Sequence, residues 1–245
     1  MAGGIQIEGR EAHGNQVWCV IPVYNNARTL REVAVGCRAQ MDHVLVVDDG
    51  STDAQVGALL EGTDVTILSH DRNRGKGAAI LTATDYVRRH GGTHIITIDA
   101  DGQHSPNDLS KFLAAIREDG TAIIVGCRGF ETENVPRASR FGRRFSNMWI
   151  RLETGLELHD TQSGFRAYPV HCLTRLRLRG RRYDFEVEVL TRAAWAGVPV
   201  REVDVGVTYA APGQRVSHFR PVVDNLRISR MHARLVGRRL LPFRH

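Results

Sequence analysis

A chain of 245 residues with 42% hydrophobic content has material for one large α/β domain or two small ones. No apolar run approaches the roughly 20 residues that cross a bilayer, and the amino terminus, M-A-G-G-I-Q-I-E-G-R-E, lacks the apolar region of a secretion signal. A net charge of +6 and a pI of ≈ 9.5 favour acidic partners such as nucleotides or phospholipid surfaces, but no aromatic-rich recognition motif accompanies the charge, so nucleic acid is not an expected partner.

Cys19, Cys37, Cys127 and Cys172 show no C-x-x-C spacing and suit structural thiols in a reducing cytoplasm. The basic residues are Arg except for Lys76 and Lys111.

In chain order, residues 1–15 read as a flexible leader. Val17 to Pro22 is a buried strand, followed by a loop at Val23-Tyr24-Asn25-Asn26. Arg28 to Gln40 has helical spacing through Leu30, Val33, Ala34 and Cys37. A second strand, His43 to Val47, breaks into Asp48-Asp49-Gly50-Ser51-Thr52-Asp53, where Ser51, Thr52 or Asp53 is placed to cap the next helix. Val65 to Leu68 is a third strand. Arg72-Asn73-Arg74-Gly75-Lys76-Gly77 opens a helix running to about Arg89. The fourth strand lies in Thr93 to His104, T-H-I-I-T-I-D-A-D-G-Q-H, a β-branched run ending in carboxylates. Pro106 starts another helix, and Thr121 to Val125 is a fifth strand. Beyond it come a helix near Arg140 to Gly155, a polar turn entering a short strand at residues 160–168, a helix from Tyr183 to Ala196 and an alternating strand from Val198 to Tyr209. Strands that alternate with helices predict a mostly parallel, Rossmann-like central sheet flanked by helices, in a single domain over residues 1–245.

Three strand ends, at Pro22 to Asn25, Asp48 to Asp53 and Asp99 to His104, emerge on the same edge of such a sheet, where ligands of open α/β sheets bind. Asp99 and Asp101 can reach one hard cation, with Gln103 adding a neutral oxygen; Mg²⁺ or Mn²⁺ prefers that oxygen-only set. An Asp-Gly turn is the plainer alternative. Lys76 can meet a phosphate at a helix start, or be a solvated helix-start lysine. Asp48 can accept from base or ribose donors, or simply end a strand. Glu186 and Glu188 are two apart on a helix and share no face, so one of them could face the site, with a helix-surface carboxylate the first expectation for either. Neither G-x-x-x-x-G-K-[ST] nor a strand-linked G-x-G-x-x-G occurs, which argues against a P-loop NTPase or a dinucleotide dehydrogenase.

The ordered motifs I-P-V-Y-N-N, V-V-D-D-G-S-T-D, N-R-G-K-G-A-A, D-A-D-G-Q-H and D-T-Q-S-G-F-R-A-Y resemble the family 2 glycosyltransferases of the GT-A fold, above all the dolichol-phosphate mannosyltransferase-like and polyprenyl-phosphate glycosyltransferase-like branch. The resemblance covers roughly residues 17–210. It implies inverting transfer from a nucleoside-diphosphate sugar. Pro22, Tyr24 and Asp48 would line the nucleoside pocket and Lys76 would hold the nucleotide. Asp99 would lie near ribose and metal, with Asp101 and Gln103 on the metal, so Asp101 also counts among the catalytic residues. Asp160 is the catalytic candidate near the acceptor. Asn26 departs from the Glu that often follows Y-N in the family. Many relatives continue into membrane helices, and none is expected within this sequence.

An acceptor hydroxyl needs a base, and Asp160 is the choice. A lipid phosphate needs arginines instead, and Arg128, Arg140, Arg143 and Arg166 are the acceptor-binding candidates. A soluble acceptor or a non-catalytic nucleotide-sugar binder are the alternatives; Asp99, Asp101 and Gln103 together weigh against a mere binder. Residues 215–245 read as an acceptor loop and a C-terminal basic helix. The helix either lies on an anionic membrane or packs on the domain with a solvated Arg face. A cytoplasmic protein, peripheral at the membrane's cytoplasmic face or joined to a separate membrane subunit, is the expectation.

Overall fold

The structure, a computed structural model, describes residues 16–129, 137–208, 228–233, 235 and 237, with backbone alone for 137–141. The expected leader and most of the 215–245 segment lie outside these residues.

The elements run β1 (Val17–Val23), α1 (Ala27–Arg38), β2 (Val44–Asp48), α2 (Val56–Leu59), β3 (Thr66–Ser69), α3 (Lys76–Arg89) and β4 (His94–Thr97). A 3₁₀ turn at Pro106–Asp108 leads into α4 (Leu109–Glu118), then β5 (Ile123–Arg128), α5 (Arg137–Thr154), β6 (Arg166–Pro169), α6 (Val170–Arg175), α7 (Asp184–Trp195) and β7 (Val200–Val205). One sheet of 7 strands has the order β3-β2-β1-β4-β6-β5-β7. All neighbours are parallel except β6, which is antiparallel to both β4 and β5. The α/β, mostly parallel reading therefore holds.

Each strand of the sheet's middle is apolar on both faces because helices cover both. In β1, Trp18 and Val20 join a core beneath α3, α6 and α7, whereas Cys19, Ile21 and Val23 join a second core beneath α1 and α4. The helical spacing of Leu30, Val33, Ala34 and Cys37 places all four in the second core. All four cysteines are buried and free.

Several boundaries move for local reasons. β5 begins at Ile123, later than Thr121, because Asp119 Oδ1 accepts from both the Thr121 N–H and hydroxyl and holds a turn there. β7 stops at Val205, well before Tyr209, where the Gly206 N–H turns to Asp108 Oδ2 at 2.8 Å. No side chain caps α2; Asp53 instead accepts from the Ala27 N–H at 2.9 Å and serves the first turn of α1.

The antiparallel β6 is what brings the second half of the chain to the site. The segment from Asp160 to Phe165 enters β6 at the edge where β1, β2 and β4 end, and Thr97 Oγ1 pins it by donating to the Gly164 carbonyl at 2.8 Å. Residues 228–233 are helical, with Met231 and Leu235 in the core. His232 is buried, stacks on Trp149 and bonds Glu153 Oε1 at 2.6 Å. For this part of the tail, packing on the domain is the outcome; Arg230 is exposed.

Candidate active site

Past β4 the chain stays buried through Ile98 and Ala100, while Asp99 and Asp101 are partly accessible. Thr29 Oγ1 donates to the Ala100 carbonyl at 2.6 Å, and Asp101 Oδ1 accepts the Gln103 N–H at 3.0 Å. The second bond is an Asx turn, so the expected Asp-Gly turn and a polar site coexist. Burial, then the neighbouring Asp99 charge, pushes the Asp101 carboxyl up to about 6.

Lys76 is not a solvated helix-start residue. Its ammonium lies 2.5 Å from Asp99 Oδ1 and 2.7 Å from Glu186 Oε1. Burial opposes its charged form, but Asp99 and then Glu186 outweigh burial and raise its pKa. Burial likewise opposes ionised Asp99, and Lys76 outweighs it, holding that carboxyl below its usual range.

The glycines around Lys76 make the contact possible. Gly75 has φ 100°, a left-handed backbone that suits glycine, and a Cβ there would overlap the Arg181 carbonyl. A Cβ on Gly77 would fall 2.6 Å from Phe185 Cβ. The close approach of α3 to α7 at this point carries Glu186 to Lys76. Asp49, the second Asp of the D-D pair, fixes the same loop: its carboxylate accepts from the N–H groups of Arg74 (2.8 Å) and Gly75 (2.7 Å) and contacts His70 Nδ1 (2.7 Å).

On the nucleoside side, Pro22 is buried in β1, and Tyr24 and Asp48 are partly exposed where β1 and β2 end. Asp48 Oδ1 accepts the Ser51 N–H at 2.8 Å, and Asn25 Oδ1 accepts the Thr52 N–H at 2.7 Å. The two loops are thus stitched together along one rim. Asn26 is the N-cap residue of α1 and makes no side-chain cap.

The acceptor side differs most from expectation. Asp160 is fully buried, and both its oxygens are engaged: Arg128 Nε reaches Oδ2 at 2.6 Å and Arg128 Nη2 reaches Oδ1 at 2.9 Å. Burial opposes its ionisation, but the Arg128 hydrogen bonds outweigh burial and hold its carboxyl below the usual range. That is an anchor for a guanidinium; a general base needs an open oxygen and a higher pKa. Arg143 is also buried, 3.5 Å from Asp160 Oδ1, and donates to the Arg128 carbonyl at 3.1 Å. Arg166 is a buried strut, donating to the carbonyls of Ser163 (2.7 Å), Glu186 (2.6 Å) and Thr161 (2.7 Å). Direct acceptor contact by Arg143 and Arg166 is therefore corrected by their burial. The Arg140 side chain lies outside the described residues. Arg128 is the arginine at the site's surface, and its charge is felt by Asp99 and Asp101.

The carboxylates Glu186 and Glu188 correct the surface expectation for that helix. Both are buried. Glu188 Oε2 accepts from the N–H groups of Arg179 (2.9 Å) and Gly180 (2.6 Å), and its Oε1 meets Arg192 Nε at 2.8 Å. It fixes the loop before α7, while Glu186 belongs to the site. Their sequence neighbours Phe185, Val187 and Val189 are buried too, which marks a helix enclosed on more than one face.

Among the described residues no three His, Cys, Asp or Glu side chains gather for a metal. Asp99, Asp101 and the Gln103 amide are nevertheless an oxygen-only donor set. Burial and then the Asp99 charge raise the Asp101 carboxyl even with Lys76 and Arg128 nearby, and a cation shared by the pair would offset the second of these causes. Such a set fits Mg²⁺ or Mn²⁺, which complete their shells with water and phosphate oxygens.

A family model described as glycosyl transferase family 2 matches residues 18–176. A polyprenol monophosphomannose synthase of Mycolicibacterium smegmatis is 31% identical over 202 residues, covering 77% of this chain and 76% of that protein. A UDP-N-acetylglucosamine–dolichyl-phosphate N-acetylglucosaminyltransferase of Methanococcus voltae is 28% identical over 215 residues, covering 79% and 86%. Among solved structures, glucosyl-3-phosphoglycerate synthase of Mycobacterium tuberculosis, in complex with Mn²⁺, UDP and phosphoglyceric acid, superposes with a TM-score of 0.65 at 20% identity over 91% of this chain and 78% of that one. That likeness establishes the shared GT-A fold.

Proposed function

Because the chain belongs to glycosyl transferase family 2 and is a glycosyltransferase, we propose that it moves a sugar from a nucleoside-diphosphate sugar to a lipid phosphate at a membrane surface, with Mg²⁺ or Mn²⁺ at the donor. The observation that carries this reading is Arg128. Its guanidinium is held in a two-pronged pair by Asp160, and its charge helps to lower Asp99 and partly offsets the upward shift of Asp101, so an anion on Arg128 sits beside the donor site.

In this mechanism Pro22, Tyr24 and Asp48 border the nucleoside, and Lys76 faces the diphosphate. Asp99, Asp101 and Gln103 are the residues that would hold a divalent cation, which when bound would supply positive charge at the departing diphosphate. Arg128 orients the acceptor phosphate, whose oxygen attacks the anomeric carbon opposite the leaving group. The new C–O bond forms as the bond to the diphosphate breaks, and the electron pair leaves with the nucleoside diphosphate. A phosphate monoester with a second pKa of about 6 is already anionic, so no base has to remove its proton. Asp160 acts here as the positioning residue of Arg128.

The names of both sequence relatives, which refer to polyprenol and dolichyl phosphate, support the acceptor class. Surface placement is supported by α5, where Phe145, Met148 and Leu152 are 42%, 53% and 63% exposed at one-face helical spacing beside exposed Arg144 and Arg151. Among the described residues no helix is long and apolar enough to cross a membrane.

The test is transfer of labelled sugar from a panel of GDP- and UDP-sugars to short-chain polyprenyl phosphates, with and without Mn²⁺. Metal-dependent transfer to lipid phosphate is expected, and Asp101→Ala should abolish it while the protein stays folded. Transfer only to soluble acceptors, or undiminished activity of Asp101→Ala at saturating Mn²⁺, would refute the acceptor or the metal assignment respectively.

A further inference from the structure

Lys76 and Asp99 are each assigned a partner in the donor complex, yet here they hold one another. The ammonium is 2.5 Å from Asp99 Oδ1. A divalent cation on Asp99 would repel that ammonium at close range. The amine therefore needs another place to keep its charge whenever the cation binds.

Glu186 supplies that place. Its Oε1 lies 2.7 Å from Lys76 Nζ, so the ammonium already touches both carboxylates, and this buried oxygen has no other partner among the described residues. A buried carboxylate oxygen whose neighbour is that ammonium would be costly to strip of it, which keeps Lys76 in place when Asp99 is taken. The space around the amine is held open by Gly164, where a Cβ would collide with both Lys76 Nζ and Asp99 Oδ2. α7 holds Glu186 firmly, since Arg166 Nη1 bonds its carbonyl at 2.6 Å.

We infer that Lys76 is a resident counter-cation with two stations, shared at rest by Asp99 and Glu186 and left to Glu186 alone when a divalent cation takes Asp99, so that Glu186 is the positioning residue that makes Asp99 available. The inference rests on the metal reading proposed above. No covalent bond is made or broken; one ammonium gives up one of its two carboxylates. The exchange also leaves Lys76 beside the diphosphate without surrendering its charge to solvent.

Glu186 thus aids the cation through Lys76, and a double-mutant cycle separates this from simple attraction between charges. Mn²⁺ binding is measured by electron paramagnetic resonance without nucleotide, in wild type, Glu186→Gln, Lys76→Met and the double variant. In the presence of Lys76, Glu186→Gln should weaken Mn²⁺ binding on the order of tenfold; in the Lys76→Met background it should change it by no more than about twofold. An equal loss in both backgrounds means that Glu186 acts only as a distant charge, and overturns the inference. A second measurement needs no variant. Lys76 and Lys111 are the chain's two lysines, so ¹⁵N-lysine labelling gives a directly assignable side-chain ammonium signal. Saturating Mg²⁺ should shift the Lys76 signal while it stays protected from solvent exchange; an unmoved signal with Mg²⁺ bound overturns the two-station account. If Mn²⁺ binds no variant, with or without UDP, the metal reading falls and this inference falls with it. Mn²⁺ binding without coupling removes the inference alone.

Discussion

Asp160 and Arg128 work as one unit, because two aligned hydrogen bonds to a fully buried carboxylate leave neither group free to act alone. Arg128→Ala should therefore raise the KM for a phosphate acceptor, and Asp160→Asn should do the same by releasing the guanidinium. Added to Arg128→Ala, Asp160→Asn should cost little more. Steady-state kinetics with the acceptor varied, on variants matched for folding, checks this. A large fall in kcat for Asp160→Asn in the Arg128→Ala background would restore a catalytic role to the carboxylate. Asp101 gives the pH dependence. Its folded pKa of about 6 exceeds the ordinary Asp value of roughly 3.9. Between these values the folded state holds more protons than the unfolded chain, so this group's contribution makes the metal-free protein less stable as pH rises through about 6. The cation competes with the same proton. Mn²⁺ affinity should fall as pH drops below about 6, by up to about tenfold per pH unit, and calorimetric titration at several pH values measures it. The strand-end carboxylates and Lys76 were legible in the sequence, since a polar cluster after an apolar run announces a sheet edge. Glu186 was not. Spacing along one helix shows which side chains share a face, but not that a second helix will bury that face.

At the scale of elements, the site depends on how α3 meets α7. Gly77 sits in the first turn of α3, where alanine ordinarily favours a helix by about 1 kcal/mol. Here the added methyl would lie 2.6 Å from Phe185 Cβ. Gly77→Ala should thus lower Tm, losing about 1–3 kcal/mol through overpacking, and should weaken nucleotide binding by moving Glu186 away from Lys76. Thermal melts and nucleotide titration read the two effects; a raised Tm with unchanged binding would show that α7 yields at no cost. The helices and most strands could be read from periodicity. The reversal of β6 could not, because a short apolar strand looks the same in either direction and only its partners, Ile95 opposite Tyr168 and Ile124 opposite Ala167, decide.

The whole molecule carries a net charge of +6, and the exposed apolar stripe of α5 runs beside arginines. Flotation with anionic liposomes at low salt is expected, less with neutral liposomes, and less again as salt screens charges beyond about 8 Å near physiological ionic strength. A protein that ignores anionic liposomes at low salt would point to a soluble acceptor or a membrane partner. The single-sheet architecture was foreseeable from alternating strands and helices, whereas the anchoring of His232 on Glu153 joins residues 79 apart in sequence and left no local sign. That β6 lies beside β5, with Val125 opposite Arg166, has a wider meaning. The chain departs from the sheet after Arg128 and returns at Arg166, the next strand over, and the clasp between Arg128 and Asp160 closes the excursion near its mouth. Substitutions on α5, between these two fixed points, should therefore change acceptor use before they change binding of the donor at the ends of β1, β2 and β4, which acceptor and donor titrations of such variants would show.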